Sequence, residues 1–66
     1  PVKLWWVQDA VTGTVFGCYA RGVYVQAVYH GGVRPWYVTV YEKDGQRSMW
    51  SDDRDAAVSE LQASIT

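Results

Sequence analysis

Residues 36–51 read WYVTVYEKDGQRSMWS, and the fold follows from them. Aromatic and β-branched residues alternate on either side of Asp44-Gly45, which predicts two antiparallel strands, at 36–43 and 46–51. Asp44-Gly45 is a strong two-residue hairpin signal, because a type I′ turn requires positive φ at both central positions. That turn sets Glu42 opposite Arg47 and Val40 opposite Met49. Upstream, Thr12-Gly13, Arg21-Gly22 and His30-Gly31-Gly32 punctuate similar runs, predicting further strands at 3–8, 14–20 and 23–30. Gly17 interrupts one of them and marks a bulge or a close backbone approach. Downstream the period changes. Ser51-Asp52-Asp53-Arg54-Asp55 supplies an N-cap and acids suited to a helix start, and Ala57, Val58, Leu61 and Ile65 form one helical stripe. A helix over 52–65 is expected. The fold class is α+β: an antiparallel four- to five-stranded meander with one C-terminal helix packed on one face.

Sixty-six residues make a single domain, 1–66, with one small core. Hydrophobic residues are 48% of the chain and charged residues 20%, with a net charge of −1, which excludes a disordered segment. No run approaches the length of a membrane span. One Cys excludes an internal disulfide framework and points to a reducing, cytoplasmic setting.

Side-chain alternation assigns the faces. With Arg21-Gly22 as a loop, Ala20 opposes Val23, Cys18 opposes Val25 and Phe16 opposes Ala27, all on one face. Trp36, Val38, Val40 and Met49 continue it, and the helical stripe belongs there. The other face receives Tyr19, Tyr24, Tyr37, Tyr41 and Trp50, with Gln26, Thr39, Ser48 and His30. Half-exposed tyrosines also serve simply as strand formers, and the first strand, with Leu4, Trp5 and Trp6, is a candidate to fold across them. An aromatic patch poor in Lys and Glu nevertheless matches the centre of a protein interface.

Catalytic and metal chemistry finds little support. Cys18 and His30, the sole thiol and imidazole, project from opposite faces, so neither a thiol–imidazole pair nor a zinc set assembles. Asp52, Asp53 and Asp55 are accounted for by the helix start. No phosphate loop or nucleophile elbow is present. No cofactor, no metal and no enzymatic activity are expected. Lys3, Arg21, Arg34, Lys43 and Arg47 against Asp9, Glu42 and Asp44 leave residues 1–50 at +2, whereas residues 51–66 stand at −3. The leading expectation is a small non-enzymatic protein-binding module acting through Tyr19, Tyr24, Tyr37, Tyr41 and Trp50. It is expected to be an inhibitor or adaptor of the kind phages and mobile elements encode, or a homodimer.

The segment RPWYVTVYEKDGQRSMWSDDRDAAVSELQASI, residues 34–65, carries a resemblance. An aromatic-led strand, a D-G turn, a strand with Arg and a capped helix beginning DAA are similar to the arm-type DNA-binding domain of phage-type integrases. The plant ethylene-response-factor domain shares that plan. The resemblance implies a nucleic-acid-binding module as the alternative, with the sheet in a DNA groove and Arg34, Trp36, Tyr37, Thr39 and Arg47 as contact positions.

Overall fold

The computed structural model describes residues 3–63. Five strands, β1 (Val7–Gln8), β2 (Val15–Ala20), β3 (Val23–Tyr29), β4 (Trp36–Glu42) and β5 (Gly45–Ser51), precede one helix, α1 (Arg54–Ala63). They form one antiparallel sheet in the order β1-β2-β3-β4-β5, the expected meander. The first strand is shorter than its alternation suggests. Of residues 3–8 only Val7 and Gln8 are paired, although Leu4 and Trp6 still reach the core. The helix starts two residues later than expected, because Asp53 caps it. Its Oδ1 accepts the N–H groups of Asp55 and Ala56 at 3.1 and 3.2 Å. Ser51 ends β5 instead, its hydroxyl accepting the Asp53 N–H at 3.0 Å. Ile65 and the end of the anticipated helix lie outside the described residues.

The β2–β3 register is the expected one, with Phe16, Cys18 and Ala20 opposite Ala27, Val25 and Val23. Arg21 and Gly22 have φ of +55° and +77°, so this loop carries the paired positive φ values of a type I′ turn. Nothing lies within 4 Å of a Cβ built on Gly22, so its requirement is purely one of backbone. A β-branched residue resists positive φ, and Gly22→Val is expected to cost about 1–3 kcal/mol, read as a lower thermal midpoint.

The β4–β5 hairpin corrects the sequence reading. Its loop is Lys43-Asp44, not Asp44-Gly45: Glu42 pairs with Gly45, Val40 with Arg47 and Val38 with Met49. Asp44 does not adopt positive φ. The strand has slid by two residues, and the physical reason lies beneath the sheet's surface. Thr39 is 6% exposed, and the observed register places Ser48 opposite it, their hydroxyls 2.9 Å apart. The anticipated register sets Thr39 opposite Trp50 and leaves a buried hydroxyl unpaired, at about 1–3 kcal/mol. Sliding by two also preserves the face on which every β5 side chain falls.

That face assignment holds. Cys18, Ala20, Val25, Ala27, Val38 and Val40 from the sheet meet Ala57, Val58 and Leu61 from α1 in one buried cluster. Leu4, Trp6, Phe16, Trp36 and Met49 pack around it. Gln62 ties the helix to the sheet by donating to the Ala20 carbonyl at 2.9 Å.

Candidate partner-binding face

The opposite side of the sheet is left open. Antiparallel registry directs Tyr19 from β2, Tyr24 and Gln26 from β3, Tyr37, Thr39 and Tyr41 from β4, and Ser48 and Trp50 from β5 to this side. All five aromatic residues singled out in the sequence therefore share one face. Tyr19 is 75% exposed, Tyr24 and Tyr41 are 38% exposed and Trp50 is 48% exposed. None of the residues that β2–β5 place on this face carries a charge.

The rings form two groups. Tyr19, Tyr24 and Tyr41 run across three strands, with centroids 5.4 and 5.9 Å apart between successive rings. Tyr41 Oη donates to Gln26 Oε1 at 3.4 Å. Near the other end of the strands, Trp50 stands between Tyr37 and His30, at 4.9 and 5.0 Å. Such cross-strand ring contacts restrain the side chains before any partner arrives, which lowers the ordering cost of binding. Thr39 and Ser48 lie between the groups and satisfy each other.

The first strand does not cover these rings. Alternation along residues 4–7 sends Leu4 and Trp6 to the core and leaves Trp5 and Val7 exposed, at 79% and 73%. Trp5, Val7, Gly17, Tyr19, Tyr24 and Gln26 line a groove of about 440 Å³. Gly17 is the close approach anticipated from sequence: a Cβ there meets Tyr24 Oη at 2.6 Å, so the missing side chain lets the ring lie across the strand. Trp5 and Val7 are additions that the period-2 pattern of the first strand was sufficient to reveal.

The nucleic-acid contact set is divided by the same geometry. Arg34 is exposed in the β3–β4 connection, Tyr37 is on the aromatic face, and Thr39 on that face is buried. Trp36 and Arg47 belong to the helix side, where Arg47 Nε lies 3.5 Å from Glu42 Oε1. The five positions do not converge on one surface.

On the helix side the structure reveals an arrangement not read from sequence. The Arg54 guanidinium lies 4.8 Å from the ring centroid of Trp6, 4.9 Å from Phe16 and 5.0 Å from Trp36. Trp6 Nε1 donates to Asp55 Oδ1 at 2.7 Å, and Arg54 Nε is 3.7 Å from that same oxygen. One cation thus clamps the N-terminal segment, two strands and the helix start. The sequence holds a clue, since Arg in the first turn opposes the helix macrodipole and needs another reason to be there. Arg54→Met keeps an unbranched stem to pack against the rings and removes the guanidinium. It is expected to cost about 1–2 kcal/mol, seen as a melting point lower by roughly 4–16 °C.

Cys18 is buried in the core cluster beneath the helix. Burial, then the Asp55 carboxylate, push its thiol upward, and Arg54 opposes them in part. A shift in that direction favours the thiol over the nucleophilic thiolate. His30 is exposed beyond the end of β3, against Trp50. Asp53 is engaged as the cap and Asp55 with Trp6 and Arg54. Among the described residues no group of three or more His, Cys, Asp or Glu side chains is placed to hold a metal ion. Among them, too, no helix is long and apolar enough to cross a membrane.

No protein-family model matches the chain, and neither curated proteins nor solved structures give a match.

Proposed function

We propose that the chain is a non-enzymatic protein-binding module, an inhibitor or adaptor, that engages a protein partner through the aromatic face of its sheet. One observation carries this reading. The face bearing Tyr19, Tyr24, Tyr37, Tyr41 and Trp50 is uncharged and open: the helix packs on the other side, and the N-terminal segment stays at the sheet edge, turning Leu4 and Trp6 to the core. Aromatic enrichment with depletion of charge is the signature of interface centres. A polyanion, by contrast, requires several cations on one surface, and here they are scattered. The unpaired Cys18 suits a reducing, cytoplasmic setting.

The test is capture from an extract of the native host, with immobilised chain and nuclease added or withheld. Proteins retained by the parent should survive nuclease and be lost with Tyr24→Glu/Tyr41→Glu. Retention of the same proteins by that variant, or material released by nuclease, overturns the reading.

A further inference from the structure

The two lateral edges of the sheet are unequal. On one side β1 is only two residues long, which gives an incoming strand little to pair with. On the other, β5 runs for seven residues, and no strand among the described residues lies beyond it. Natural edges are guarded by proline, bulges or charge. β5 has no proline, its ladder with β4 is unbroken from Gly45 to Ser51, and its one charged side chain, Arg47, is turned to Glu42 of its own hairpin.

Hydrogen-bond alternation identifies the free backbone groups. Tyr29 N–H donates to the Thr14 carbonyl at 2.9 Å and His30 N–H to the Pro35 carbonyl at 2.6 Å. Odd-numbered residues of β3 therefore bond β2 and even-numbered ones bond β4. Carried through the registers, this alternation commits Gly45, Arg47, Met49 and Ser51 to β4. Gln46, Ser48 and Trp50 direct their N–H and C=O groups outward.

We propose that this edge binds the same edge of a second copy, antiparallel, about a two-fold axis at Ser48. Self-complementarity selects both the occupant and the register. With the axis at Ser48, Gln46 meets Trp50 of the second copy, Ser48 meets Ser48, and three such pairs at two bonds each close about six main-chain hydrogen bonds. Arg47 then faces Met49. An axis at Arg47 sets two guanidinium groups directly opposite, which is destabilising. An axis at Met49 carries Gln46 past the end of the opposing strand at Ser51. Only the Ser48 axis uses all three free residues without opposing like charges. α1 lies over β4 and β5, so the two helices come to lie on the same side of the joined sheet, flanking the axis. The aromatic faces of the two copies become continuous. This inference rests on the strand edge and stands apart from the partner face proposed above.

Amide exchange on the full chain tests it, at micromolar and at millimolar concentration, alongside sedimentation. The amides of Gln46, Ser48 and Trp50 should exchange freely when dilute and become protected when concentrated, as the mass doubles. Those of Arg47 and Met49 should be protected throughout. Gln46→Pro removes an outward N–H and no bond to β4, so it should abolish both changes while Arg47 and Met49 stay protected. Gln46→Ala should behave as the parent. A monomeric mass with Gln46, Ser48 and Trp50 unprotected at millimolar concentration overturns the proposal. So does association that survives Gln46→Pro, and if Tyr24→Glu/Tyr41→Glu abolishes it instead, the contact is the aromatic face.

Discussion

Leu61→Ala is expected to lower the thermal midpoint by about 10 °C or more, from a loss of roughly 2–5 kcal/mol. Leu61 is 8% exposed and closes the cluster in which Ala57 and Val58 meet Val38 and Val40. A chain of this length has about 3–10 kcal/mol of total stability, so one cavity consumes a large share of it. The sheet cannot compensate by collapsing onto the gap, because its core positions are already small: Cys18, Ala20, Val25 and Ala27 have little reach. Thermal melting followed by circular dichroism decides the matter. A midpoint within a degree or two of the parent contradicts the assignment of α1 as the wall of the core.

The second large effect concerns binding. Tyr24→Glu/Tyr41→Glu is expected to weaken partner affinity about a thousandfold, since aromatic anchors carry roughly 2 kcal/mol or more each. Both rings sit in the contiguous Tyr19–Tyr24–Tyr41 row, and both are 38% exposed, so a carboxylate at either position reaches water and the core is undisturbed. Tyr24 pairs directly with Tyr41, however, and two carboxylates there repel. Tyr24→Glu/Tyr41→Lys removes that repulsion and should lose binding equally while melting nearer the parent. Salt gives an independent reading. Association through an uncharged face should weaken only modestly between about 50 and 200 mM, whereas several phosphate contacts weaken it by orders of magnitude. Strong salt-sensitive DNA binding, lost on Arg34→Ala and Arg47→Ala, would favour the nucleic-acid alternative.

Much of this architecture was legible in the sequence, because strand parity is a local property. Each side chain's face depends only on whether its position is odd or even along the strand, and this survived even a two-residue slip in the 36–51 hairpin. The helix was equally local, written in its acidic start and in Ala57, Val58 and Leu61. The five aromatic residues of the open face were found by the same parity.

What only the tertiary structure decided is whatever depends on partners distant in sequence. The slip itself was set by the Thr39 hydroxyl, which is buried only once the sheet is assembled and then requires Ser48. The turn rules could not weigh that cost: they located the Arg21-Gly22 loop correctly but put a second type I′ turn at Asp44-Gly45, where the loop is Lys43-Asp44 and Asp44 does not adopt positive φ. The position of the first strand depended on Trp6, held 49 residues along the chain by Asp55 and stacked with Arg54. Composition alone allowed Trp5 and Trp6 to cover the tyrosines. Folding separated them, packing Trp6 against the core cluster and leaving Trp5 beside Tyr19 and Tyr24, because one cation at the helix start and three aromatic rings can meet on only one side of the sheet.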